Sequence, residues 1–274
     1  MDTLKTFLLH VDDSDAATQH ARVVQRLADR FDAHADALYS VLPSLSRFPA
    51  SIALDGAWAA ASQLAEFDEQ QRALTKIRFV TTQKSLPRVH WCEVGPVSPW
   101  DFSRHAMYAD LVVMRGGPAA QAELPADFAA TVAIESGRPV LVLPTQTPTE
   151  IGSRVLLAWK PTREATRAIA AALPWLRQAA QVHVVTAETL DDSGPASVAS
   201  LTRYLTAQGI ECTRRAPLPD ARDAGPALQA LAAEIGADLV VMGCYGHNRT
   251  REWLLGGTTK SMTRDPSIPV LMAH

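Results

Sequence analysis

Four glycines, Gly243, Gly246, Gly256 and Gly257, punctuate the stretch "VMGCYGHNRTREWLLGGTT", which follows the apolar run Ala237–Met242. Glycine lets a backbone turn with positive φ and come close to a bulky anion. Thr258 and Thr259 then open a helical pattern. The first turn of a helix offers unpaired N–H groups and the positive end of a dipole, to which the two hydroxyls would add donors. Together these features make a candidate phosphate cradle. The spacing is neither GxxxxGK(S/T) nor GxGxxG, so the same glycines read equally well as shapers of a strand-to-helix loop. His247, Arg249 and Arg251 lie in that loop. They read as phosphate contacts or as solvated surface. Cys244 reads as small buried filler or as a thiol made reactive by a positive loop.

Other chemistry is sparse. The eight histidines show no HExxH or other metal-ligand spacing, and no GxSxG elbow occurs. Cys92, Cys212 and Cys244 form neither a CxxC pair nor a zinc pattern. No catalytic residue and no metal ligand is assigned. "DDSD" at Asp12–Asp15 suggests a cation site or, better, a helix start with Ser14 as its cap. His183 lies within an apolar run and reads as a packed core histidine.

The elements that must position the glycine loop occur twice. "ADLVVM" stands at Ala109–Met114 and again at Ala237–Met242. Proline-led apolar runs follow each copy, "RPVLVLP" from Arg138 and "IPVLMAH" from Ile268. "LLHVDDSDAAT" from Leu8 parallels "LLAWKPTREAT" from Leu156. A period this long indicates domain duplication. The first copy carries about twenty extra residues, placed within Leu42–Lys84, and "PTQTPTEIG" at Pro144–Gly152 reads as a linker. The expected domains are 1–146, with a degenerate glycine loop, and 151–274, with a largely retained one. In the second copy strands are expected at Arg154–Trp159, Val182–Ala187, Cys212–Arg215, Ala237–Met242 and Ile268–Met272. Helices alternate with them, the first capped by Thr162. Strict alternation argues for an α/β fold with parallel sheets covered on both faces, and ligands in such folds sit beyond the carboxyl ends of the strands.

This order of elements, the "ADLVVMGxxG" run, the nine-residue spacer, the second glycine pair and the final "PVL" strand resemble the universal stress protein family in its tandem, two-copy form. The family motif is G-2x-G-9x-G-(S/T). Gly243, Gly246 and Gly256 match it in register, while Gly257 stands where the hydroxyl is expected, with Thr258 and Thr259 beyond. The resemblance implies two Rossmann-like, adenine-nucleotide-hydrolase-like α/β/α sandwiches, each with a parallel five-stranded sheet. In ATP-binding members it places the phosphates on this loop and the base near the ends of the first two strands, here Ala158–Lys160 and Ala187. Against the family's aspartate at the first strand end, the first copy keeps Asp12 and the second has Lys160. The first copy's loop has Arg115 and Pro118 where Gly243 and Gly246 stand, and proline removes an N–H that a cradle needs.

The expected function is therefore a stress-response regulatory or protective factor, with ATP or a related adenine nucleotide, or another anion, in the second copy only. Lys160 would supply charge in place of a metal, so Mg²⁺ is not expected to be essential. The alternatives are a ligand-free interaction module working through dimerisation and, more weakly, a slow ATPase. The resemblance also implies pairing of the final strands, Val140–Leu143 with Val270–Met272 in one chain or across a homodimer. A net charge of -3 gives no reason to expect nucleic acid or an anionic membrane. No apolar run approaches a membrane span, and the N-terminus lacks a signal-peptide layout, so the cytoplasm is the expected compartment.

Overall fold

The computed structural model describes residues 4–14, 16–47, 57–95, 97–117, 124–125, 127–186, 193–218, 224–245 and 257–274. The first half runs β1 (Thr6–Val11), α1 (Ala16–Phe31), β2 (His34–Tyr39), a 3₁₀ turn (Ser44–Arg47), α2 (Ala57–Gln83), β3 (Val89–Trp91), α3 (Pro99–Ala106), β4 (Leu111–Arg115), α4 (Phe128–Ser136) and β5 (Val140–Leu143). The second runs β6 (Arg154–Trp159), α5 (Arg163–Leu176), β7 (Gln181–Thr186), α6 (Ser193–Ala207), β8 (Thr213–Arg214), α7 (Ala224–Glu234), β9 (Leu239–Gly243), α8 (Gly257–Arg264) and β10 (Val270–Ala273).

All ten strands form one sheet, in the order β3-β2-β1-β4-β5-β10-β9-β6-β7-β8. Each half contributes five parallel strands in the same order, reflected about the β5–β10 seam. The seam is antiparallel, with Val140 opposite Met272, Leu141 opposite Leu271 and Val142 opposite Val270. The pairing of the final strands, Val140–Leu143 with Val270–Met272, thus occurs within the one chain and joins the two five-stranded sheets into one. The physical reason is that β5 and β10 are short and wholly apolar. Left as edges they would expose unpaired backbone groups beside buried side chains.

Strand side chains alternate between two cores. Phe7, Leu9, Val11, Leu111, Val113, Leu157 and Val241 face one side, where α1, α2, α5 and α6 cover them. Leu8, Val112, Met114, Leu156, Val240 and Met272 face the other, under α3, α4, α7 and α8. Burial on both faces explains the continuous apolar runs of β4 and β9. The extra length of the first copy appears in α2, whose 27 residues compare with 15 in its counterpart α6. Gly116 shows how tightly the halves meet, since a β-carbon there would fall 2.6 Å from Pro266 Cγ.

Candidate functional site

The topology marks one crevice in each half. The chain leaves the first strand of a half toward one edge of the sheet and the fourth strand toward the other. At such a switch point the following loops diverge and leave room beyond the carboxyl ends of the strands. In the second half the crevice lies between β6 and β9, where Ala158 pairs with Met242. Lys160 directly follows β6 and is exposed, while Gly243 ends β9.

The residues around this crevice have specific local causes. Thr162 caps α5, its Oγ1 accepting from Ala165 N at 3.3 Å. Glu164 is buried in the first turn. Its burial pushes the carboxyl up, but its own backbone N–H and the Thr162 hydroxyl hold it below the usual range. A β-carbon at position 243 would lie 2.6 Å from Ala165 N and 2.9 Å from Glu164 C. Gly243 is therefore required by the approach of α5, whatever else the loop does. Beyond it Cys244 donates its N–H to Ala273 O at 2.8 Å, and Tyr245 takes a left-handed φ of 51°. Tyr245 N donates to Thr259 Oγ1 at 3.4 Å, which draws the start of α8 back to the end of β9. The terminal His274 donates from Nδ1 to Cys244 O at 2.9 Å.

The structure thus gathers Lys160, Gly243, Gly257, Thr258 and Thr259 around one strand-end crevice, with Ala158 packed against the core beside it. Thr259 is buried and engaged with the loop backbone, Thr258 is half-buried, and Gly257 is exposed. Gly246, His247, Gly256 and Ala187 lie outside the described residues. Cys244 is buried, and burial first, then Asp127 and Glu164, pushes its thiol up to about 12. It is filler rather than a reactive thiolate. His183 is likewise a core group, accepting at Nδ1 from Arg215 Nε at 3.3 Å. Among the described residues no group of three or more His, Cys, Asp or Glu could hold a metal ion.

The equivalent crevice of the first half is filled. Arg115 ends β4 at the position Gly243 holds in β9, and Asp12 follows β1 at the position of Lys160. Their side chains meet across the switch point, Arg115 Nη2 lying 2.7 Å from Asp12 Oδ2, with only 7% and 3% of each exposed. Burial raises the Asp12 carboxyl, but His10, Arg115 and the Ser14 hydrogen bonds outweigh it and hold the group below the ordinary range. The Ser14 hydroxyl donates to Asp12 Oδ1, and the Ser14 carbonyl accepts from Ala17 N at the start of α1 at 3.2 Å. His10 lies under the pair and donates from Nε2 to Ser40 O at 2.7 Å, edge-on to Phe102 and Phe128. Burial lowers its pKa, and burial likewise lowers His20 to about 4. Sequence reasoning noted Arg115 and Asp12 separately and missed their pairing. The signal was present in the two repeated runs, "ADLVVM" and "LLHVDDSDAAT", which end beside Arg115 and contain Asp12 and so place both residues at the same switch point.

Residues 219–274 match the sequence profile of the universal stress protein family. The matched segment contains β9, the glycine loop, α8 and β10. Over that segment the chain is similar to the universal stress protein family. The fold extends the likeness over the whole chain. A universal stress protein from Archaeoglobus fulgidus is 18% identical, with a TM-score of 0.68 over 98% of this chain and 97% of its own. A protein of unknown function from Pseudomonas aeruginosa PAO1 is 15% identical, with a TM-score of 0.53 over 98% of this chain and 92% of its own. No curated protein matches the sequence at a significant level. Among the described residues no helix is long and apolar enough to cross a membrane.

Proposed function

We propose that the chain is a two-copy universal stress protein, with units at 1–146 and 151–274, that binds a nucleotide or another phosphate-bearing anion in the second unit and uses the first as a scaffold. The family match supports a stress-response role. The observation that carries the reading is the contrast between the two crevices. One is closed by its own buried ion pair. The other has glycine where that arginine stands and a lysine where the acid stands. Lysine at the first strand end favours an anion as a point charge, and the start of α8 adds N–H donors. Lys160 would take the place of metal charge, so binding depends weakly on Mg²⁺. A slow ATPase is the weaker alternative, since phosphoryl transfer needs positioned metal ligands and a base and position 160 carries neither.

Thermal unfolding with ATP, ADP or AMP, with and without Mg²⁺, tests the reading. A ligand at a hundred times its Kd stabilises the native state by about 2.7 kcal/mol, a rise of several degrees in Tm. Lys160→Glu should remove most of that rise and leave the unliganded Tm near the parent value. No rise with any nucleotide or with inorganic phosphate, and no nucleotide released on denaturing the purified protein, would leave the ligand-free interaction module as the function.

A further inference from the structure

The helix that lengthens the first half presents an apolar face to solvent. Nine large hydrophobic side chains are exposed among the described residues, and four of them, Phe67, Leu74, Ile77 and Val80, lie on α2. They are 50%, 52%, 63% and 42% exposed. At 100° per residue these positions fall on the side of the helix opposite Thr75 and Phe79, the buried pair that fixes α2 to the body. Scattered exposed apolar residues need no explanation, but a contiguous stripe marks an interaction surface. Leu45, 54% exposed, stands on the 3₁₀ turn that precedes the helix.

We infer that this face is a homodimer interface, in which α2 packs antiparallel against α2 of a second copy. The pattern is self-complementary. A two-fold axis between positions 73 and 74 sets Phe67 opposite Val80, Gln70 opposite Ile77 and Ala73 opposite Leu74. Every outward-facing apolar position then meets another position of the same face, as an isologous contact demands. The charges run the same way. Asp68, Glu69, Arg72, Lys76 and Arg78 are engaged within the chain, which leaves Glu66 exposed near the amino-terminal end of the stripe and Lys84 exposed just past its carboxy-terminal end. Antiparallel docking brings the exposed Glu66 of one copy toward the exposed Lys84 of its partner. The seam from Phe67 to Val80 is about 20 Å long at 1.5 Å per residue. With flanking side chains it buries on the order of 600 Å² per copy, the lower bound for a specific interface.

Size-exclusion chromatography with light scattering reads the outcome. The parent chain at about 100 μM should run at twice its mass of 29.6 kDa. The double variant Leu74→Glu/Ile77→Glu should run at the single mass with unchanged helical signal. A parent that is monomeric at that concentration, or a double variant that still dimerises, overturns the inference. Cross-linking fixes the geometry. Ala73→Cys should give a covalent dimer under mild oxidation, whereas Ser200→Cys on the exposed side of α6 should not. Equal cross-linking at both positions, or none at 73, also overturns it.

Discussion

At the scale of single residues, two positions close the crevice of the first half. Asp12 and Arg115 neutralise each other out of water. Removing one partner of a buried pair strands the other charge, so Arg115→Met should destabilise by about 3–5 kcal/mol, while adding Asp12→Leu should recover most of the loss. Denaturant titration of the three proteins measures this. The pair also sets a pH dependence. The folded pKa of Asp12 lies below the ordinary 3.8, so its contribution is present above that value and fades as pH falls through the folded pKa. His20 acts earlier. Its pKa falls from 6.5 to about 4 because it is buried, so the unfolded chain takes a proton between those values that the folded chain refuses. Stability should drop by about 3 kcal/mol as pH falls from 6.5 to 4, and His20→Leu should flatten that stretch of the profile.

At the scale of elements, the crevice depends on where α5 begins. Thr162 fixes the first turn through Ala165 N, and Gly243 lets β9 come up against the same turn. Thr162→Ala should cost about 1 kcal/mol, the usual loss for a helix cap. Gly243→Val should cost more, because its side chain meets backbone atoms that cannot move aside. Chemical denaturation distinguishes the two sizes of effect. Gly243 therefore cannot be read as a ligand residue from its identity alone. Nearly all the elements of the second half were legible as periodic runs, because buried parallel strands are continuously apolar and their covering helices repeat at three and four residues. Boundaries shifted by one to three residues. The strand at Arg154–Trp159 is bounded as read from sequence, and the one expected from Ile268 begins at Val270. What periodicity could not show was the outward stripe on α2, because a helix with apolar residues on two faces has no single amphipathic direction.

At the scale of the whole molecule, the two halves share one sheet, and this should make them unfold together. Calorimetry should show a single transition with equal calorimetric and van't Hoff enthalpies. Leu271→Asp in the seam should lower that one midpoint and not split it, because Leu271 is buried opposite Leu141. Two resolved transitions in the parent protein would show that the seam does not couple the halves.

The duplication, the alternation of strand and helix, the glycine spacing and the exchange of Asp12 for Lys160 were all determined by the sequence. Each is a local pattern, set by residue type and short-range periodicity, and so is readable without coordinates. Tertiary structure decided the rest, because those outcomes depend on which distant residues meet. It decided that β5 pairs with β10 of the same chain, the first of the two pairings expected of the final strands. It brought Arg115 across to Asp12, residues from different strands that only the switch-point topology makes neighbours, and thereby closed the first crevice while leaving Gly243 and Lys160 at the second.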